Sequence, residues 1–504
     1  MEDYLNIGKA EKLKNSRERI IYRILEIFPG LLSWTTLIFA FFLSIFFPVL
    51  IALFIILFDL YWLLKAVYLA VHQIVTFFKL KRNLKVNWRE ELAKLKIKED
   101  IYHIICLPFF REKKEIVESS ILALKKISYP KEKLILILAV EERGGKEAKE
   151  IAREMERKYS KDFFKFFLTF HPKNLPNEIA GKGANVAFAI KETKKKIKSL
   201  KIKKENILFS VFDIDTKPYP HYFSCLTYHY LKLGKPQNLA FQPIPIYNNN
   251  IWQAPSFSRV VATSNTFWQM VQQERPEQLV TYSSHSLPYS LFEKIEYPKE
   301  VVSDDSRIFW KAFFAFEGNF KTFPLFYPIS MDAVLGRNLI STIINQYKQQ
   351  RRWAFGAENI PFVIFNFLKS KKIPLSVKVS QSLIILEGFW SWATASLLIF
   401  FLGWLPVLIG REEFKKTVLG LNLPILTQNL MMLASFGILV CGALSLLLLP
   451  PSRKSFFKKL SLIFQWILLP LTLIFFGCLP ALDAQTRLLL GKYLGFWPTE
   501  KIRK

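Results

Sequence analysis

The stretch ILFSVFDIDTKP, residues 207–218, decides how this chain is read. Ile207 to Phe212 is a short, mostly apolar run, rich in residue types that favour extended backbone and too short for a helix. It predicts a buried strand. Asp213 and Asp215 stand at its end. In extended backbone, side chains two apart point to the same side. Two carboxylates leaving a strand together make a hard-oxygen site suited to Mg²⁺ or Mn²⁺. Such ions keep waters and bind through one or two carboxylates plus substrate phosphates. On its own, the triplet reads more plainly as a solvated acidic turn before Pro218. Its surroundings favour the metal site.

Around this stretch, residues 101–330 alternate short apolar runs with amphipathic segments. Strands are predicted at 101–108, 134–140, 163–171 and 207–212, and helices at 113–127, 146–159 and 183–196. Strands alternating with helices imply an α/β domain with a mostly parallel sheet. Ligands of such sheets bind at the carboxyl ends of the strands. Pro108, Glu141, Glu142, Asp213 and Asp215 all fall at such ends.

The flanks have another character. Apolar residues make up 51% of the chain, which has 47 Phe and a formal net charge of +29. That charge suits nucleic acid or an anionic membrane surface, and the long apolar runs at both ends select the membrane. Residues 1–28 are charged and predict an amphipathic surface helix. Residues 31–70 are almost wholly apolar, about twice the ~20 residues of one crossing. They predict a two-span hairpin breaking near Pro48. Lys79, Lys81, Arg82 and Lys85 follow it, so both of its ends are expected in the cytoplasm. Further spans are predicted at 389–409, 428–449 and 460–480, giving about five. Residues 360–386, broken by Pro361 and Pro374, suit the membrane interface. The connector 450–459 is basic and expected in the cytoplasm. Counting crossings puts the tail 483–504 outside, whereas its basic residues argue for the inside. A re-entrant segment around Pro470 would reconcile the two. The resulting division is 1–28, a 29–73 hairpin, a 101–370 α/β domain, 371–482 and a basic 483–504 tail.

The other local signals are plainer. Cys106, Cys225, Cys441 and Cys478 have neither metal nor disulfide spacing, consistent with a reducing compartment. Residues 191–204 hold eight lysines and read as a solvated helix end. The sequence SDDSRIFWKAFFAF, from Ser303, reads as a helix capped by Ser303 and opened by Asp304 and Asp305. His285 reads as a loop histidine and Arg351 as a structural charge.

Four further elements carry a resemblance. Gln349-Gln350-Arg351-Arg352-Trp353 fits a QxxRW signature. Ser303-Asp304-Asp305 resembles a TED element. Gly181-Lys182-Gly183-Ala184-Asn185 is similar to a Lys-Gly-rich helix opening, and residues 108–112 to a Pro-x-Tyr-Asn-Glu turn. With the acidic triplet, and in this order, they resemble membrane-embedded glycosyltransferase family 2, which includes cellulose and hyaluronan synthases. The resemblance covers about residues 101–355. It implies a GT-A fold and inverting transfer from a nucleoside diphosphate sugar; a UDP-sugar is the favoured donor, with a GDP-sugar as the alternative. It also implies a Mg²⁺ or Mn²⁺ cofactor and a multi-pass inner-membrane enzyme with a cytoplasmic catalytic domain. By the resemblance, Asp305 is the general base, and Pro108, Glu141, Lys182, Asp213 and Arg352 meet the donor. Asp213 and Asp215 meet the metal, and Gln349 and Trp353 line the acceptor junction. Glu141 replaces the family's usual Asp, and Arg111 its Asn. Residues 281–290 depart from the pattern of the processive synthases.

The acceptor expected is either a growing polysaccharide moved through the spans or a membrane lipid. A transporter or scaffold with a nucleotide-sensing domain is the remote alternative, disfavoured because the spans hold few ionisable residues beyond Asp59, Lys65 and Glu387.

Overall fold

The computed structural model describes residues 4–97, 99–448, 456–500 and 502–503. The long runs of β-favouring residues become one eight-stranded mixed sheet, in the order β3-β2-β1-β4-β7-β6-β8-β5. Its strands are β1 (Tyr102–Phe109), β2 (Leu134–Glu141), β3 (Lys165–His171), β4 (Ile207–Val211), β5 (Lys217–Pro218), β6 (Leu239–Ile246), β7 (His285–Pro288) and β8 (Lys321–Ser330). The half containing β3, β2, β1 and β4 is parallel, and β6 also pairs parallel with β8. The pairings of β7 with β4 and β6, and of β5 with β8, are antiparallel.

β2 is buried along its whole length because both faces of the sheet are covered. Alternate residues feed two cores. Ile104, Cys106, Ile135, Ile137 and Phe209 pack on one face. Ile105, Leu107, Leu136, Leu138 and Leu208 pack on the other. Helices Lys114–Lys125, Gly145–Tyr159 and Lys182–Ser199 connect the parallel strands.

Among the described residues, five helices are long and apolar enough to cross a membrane: Ser16–Phe46, Pro48–Lys85, Leu375–Leu402, Val418–Leu448 and Leu460–Leu489. The first turn-back is at Phe47, where Pro48 opens the second helix without losing a needed N–H. Ser16–Phe46 is one continuous helix, so residues 16–28 lead directly into the span rather than forming a separate surface helix. The segment expected at the interface, 360–386, divides. Asn359–Lys369 belongs to the α/β unit, and the rest begins the third apolar helix. The basic connector 450–459 lies largely outside the described residues.

The first four of these helices follow one another as two up-and-down pairs, the third packing on the first and the fourth on the second. Their far ends meet where Ala40, Ile51, Ala52, Ile55, Leu398, Leu402 and Leu423 pack together. Their near ends meet the α/β unit: Lys79 pairs with Glu274 at 2.6 Å, and Gln381 donates to the Glu277 carbonyl at 3.2 Å.

Candidate active site

An open cleft with about 950 Å³ of empty space lies at the carboxyl ends of β1, β2 and β4. Pro108, Glu141, Lys182, Asp213, Asp215, Asp305, Gln349, Arg352 and Trp353 all line it. These nine residues come from strand ends, from a turn and from the starts or ends of three helices, so the fold assembles them from a long span of sequence.

The carboxylate arrangement differs from the pleated-strand expectation. β4 ends at Val211, and Asp213 opens a tight turn in which the Thr216 N–H donates to the Asp213 carbonyl at 2.8 Å. The two side chains therefore reach the cleft from a turn. Asp213 Oδ2 accepts from Ser283 Oγ at 2.5 Å. Asp215 is buried, and its Oδ2 accepts from the Asp332 N–H at 2.8 Å.

Lys182 opens its helix and is itself buried. Its Nζ donates to Asp213 Oδ1 at 2.6 Å and to Asp305 Oδ1 at 2.7 Å. Burial alone would depress the amine's pKa, but Asp213, Asp305 and Asp304 outweigh it and hold the ammonium well above its ordinary value. Gly183 lets this helix start lie close against the Asp304 helix. A Cβ there would stand 2.4 Å from the Pro298 carbonyl oxygen and 2.8 Å from Asp304 Cβ.

Asp304 and Asp305 open the helix Asp304–Ala315, but Ser303 makes no side-chain cap, contrary to expectation. Its hydroxyl donates instead to Glu358 Oε1 at 2.8 Å. The same oxygen accepts from the backbone N–H groups of Val302 and Ser303, at 3.0 and 2.9 Å. Arg307, fully buried, donates to the Glu358 carbonyl at 2.9 Å and to Asn359 at 2.6 Å. Glu358 therefore fixes the start of the Asp305 helix. Asp304 points into the core, where burial and then the Asp305 charge raise its carboxyl pKa well above the usual range. Asp305 faces the cleft, and its carbonyl accepts from Thr281 Oγ1 at 2.6 Å.

His285 is not in a loop. It begins β7, fully buried, with Nδ1 at 2.8 Å from the Tyr282 carbonyl and 3.8 Å from Asp305 Oδ1. Burial lowers its pKa, which keeps the ring neutral. Arg351 pairs with Asp483 at 2.9 Å, away from the chemistry. Arg352 lies over the Phe496 ring, 4.8 Å from its centroid, and its buried Nε has no hydrogen-bond partner among the described residues. Trp353 packs beside Tyr247 at 6.3 Å between centroids. Behind that pair is a smaller recess lined by Asn265, Gln346 and Gln349. Glu141 is buried at the end of β2 and bound by Arg143.

The C-terminal tail closes one wall. Phe496, Pro498 and Thr499 line the cleft, and Phe496 packs where Gly181 leaves room. Arg503 donates to Asp332 at 2.8 Å, and Asp332 in turn holds Asp215 through its backbone. Sequence reasoning had no local signal for these contacts or for Glu358.

The residues fit a divalent cation in one sense. Among the described residues no group of three or more His, Cys, Asp or Glu gathers in a metal-holding arrangement. A protein site of two carboxylates completed by a ligand's phosphate oxygens matches how Mg²⁺ is usually held. The unpartnered Arg352 Nε in the same cleft is a donor suited to such phosphates.

No protein-family model matches the sequence, and no curated protein is significantly similar to it. Solved structures are similar over much of its length. A mannosyltransferase from Pyrobaculum calidifontis, in complex with GDP-Man and Mn²⁺, is 12% identical, with a TM-score of 0.43 over 87% of this chain and 99% of that one. The S. aureus protein TarS, residues 1–349 with UDP-GlcNAc, is 10% identical, with a TM-score of 0.36 over 78% of this chain and 93% of that one.

Proposed function

We propose that this protein is a membrane-bound, inverting glycosyltransferase of the GT-A type that uses a nucleoside diphosphate sugar. The observation that carries this is the pairing of Asp213 and Asp305 with one buried cation, Lys182, in a cleft that also holds Asp215, Arg352 and Trp353. Inversion at an anomeric carbon is one displacement. It needs a carboxylate for the acceptor proton and positive charge on the leaving diphosphate. Asp305 takes the proton from the acceptor hydroxyl. Lys182 and Arg352 face the diphosphate, and Pro108 and Glu141 border the nucleotide. Asp213 and Asp215 would hold Mg²⁺ or Mn²⁺, which when bound supplies Lewis-acid stabilisation of the departing phosphate oxygens. Trp353 offers a flat face to the acceptor sugar, with Gln349 beside it.

The acceptor favoured is a growing polysaccharide. Gln349 lies beside Trp353 at the edge of the cleft, where an amide can meet a sugar hydroxyl. A lipid acceptor is the second reading. It is supported by the exposed apolar residues Leu339, Ile340, Ile343 and Ile344 on the helix that carries Gln349 and Trp353. The α/β unit is assigned to the cytoplasm, where nucleotide sugars are found, and the cations after the first hairpin agree.

The test is a screen of labelled UDP- and GDP-sugars with purified protein and Mn²⁺, with and without EDTA, followed by solvent partition of the product. Metal-dependent transfer to a polymeric product supports the first reading, and a lipid-extractable product the second. Release from none of the donors would leave the scaffold alternative.

A further inference from the structure

We infer that the fifth apolar helix, Leu460–Leu489, does not cross the membrane but lies along the α/β unit in the headgroup layer of the leaflet on that side. Its composition alone reads as a span. It touches the soluble unit at both ends and in its middle. Its second half also packs on the first and third apolar helices, where Gln485 accepts from Ser33 Oγ at 2.7 Å and Cys478 Sγ donates to the Ala393 carbonyl at 2.7 Å. Near its start, Trp466 stacks on Phe267 at 5.7 Å, and Gln465 accepts from Arg259 at 2.7 Å. In its middle, Phe476 stacks on Phe257 at 5.3 Å. Near its end, Asp483 pairs with Arg351, and Ala481, Ala484 and Leu488 join the buried cluster of Ala354 and Phe355. A crossing helix would carry one end to the far turn of the two hairpins, yet here both ends touch the α/β unit.

Among the described residues, none covers the outer side of this helix. Phe464 is 68% and Ile467 82% exposed, and Leu471 and Phe475 are also exposed. The start of the Leu339–Ala354 helix adds Leu339 and Ile340, 60% and 70% exposed. The first four apolar helices expose large apolar side chains in the same way, Leu57, Leu64 and Phe436 among them, so lipid rather than a protein partner is the cover inferred. Pro470 and Pro480 break the helix into short pieces, which lets it follow the surface of the unit. The chain then has four crossings, its tail returns to the α/β side, and the cleft mouth sits at headgroup level. This inference is independent of the chemistry assigned to the cleft.

The test places single cysteines in the full-length protein at Lys198 in the α/β unit, Glu413 in the far turn and Lys492 in the tail, all exposed. Intact cells are treated with a membrane-impermeant maleimide, and wild-type labelling is subtracted. The expected result is that 198 and 492 behave alike and opposite to 413. If 492 labels with 413, the helix crosses and the inference fails. A fluorophore at Ile467→Cys in nitroxide-lipid vesicles gives the second readout. Stronger quenching by shallow than by deep nitroxides supports the inference, and the reverse overturns it.

Discussion

Lys182 donates to Asp305 across 2.7 Å, and this ammonium, which also donates to Asp213, holds together two carboxylates 92 positions apart in the chain. Lys182 is buried, whereas Asp305 and Asp213 face the cleft with side chains 22% and 27% exposed, so loss of the amine leaves two neighbouring carboxylates without their shared cation. The two like charges left side by side cost stability, by less than the about 3–5 kcal/mol of a fully buried pair because both carboxylates meet water. Lys182→Met should lower the melting temperature of the purified protein clearly, and it should weaken nucleotide binding. Unchanged values for both would show that the amine is a bystander.

Glu358 supports a second expectation. One of its oxygens accepts from two backbone N–H groups just before Asp304. Glu358→Ala leaves both unpaired, at about 1–3 kcal/mol for each buried donor. Glu358→Gln keeps a carbonyl oxygen there and should recover most of the stability. Thermal melts of the two variants separate hydrogen bonding from charge. If both fail equally, the carboxylate's charge, answered by Arg307, is what matters.

His103 predicts a pH dependence. It is fully buried in β1 beside Thr227, and burial lowers its pKa from 6.5 to about 3. The folded state thus binds fewer protons than the unfolded state between these values. Stability from this group is whole above pH 6.5 and falls as pH drops toward 3, by about 2 kcal/mol between pH 7 and 5. His103→Phe should flatten that part of the stability profile. An unchanged acid slope in the variant would mean that other groups cause it.

The strand run at 207–212 and the alternation around it are legible because buried parallel strands are continuous apolar runs. The cleft's lining is legible where chemistry is concentrated in short motifs, as at Asp213 and Arg352. What is hidden depends on distant partners. Nothing near Arg503 announces Asp332, and nothing near Phe496 announces Arg352. Ser303 reads as a cap until Glu358, far along the chain, claims its hydroxyl. The pleat rule for Asp213 and Asp215 fails because β4 stops at Val211. Hydropathy reports composition and not what covers a helix, so Leu460–Leu489 reads as a span while its stacking of Phe476 on Phe257 is invisible in the sequence.

The account turns on Asp305. An acceptor hydroxyl is a poor nucleophile until its proton has a carboxylate to go to, and a general base of this kind contributes about 10²–10⁴-fold. The decisive measurement is the transfer rate of Asp305→Asn with the donor that the wild type turns over, alongside calorimetric binding of the matching nucleoside diphosphate. Asp304→Asn, a change in the core rather than the cleft, is the control. The account predicts at least a hundredfold loss of transfer in Asp305→Asn with binding retained, and near-normal transfer in Asp304→Asn after allowing for its lower stability. Asp305→Asn turning over at the wild-type rate, or Asp304→Asn alone being dead, would contradict it.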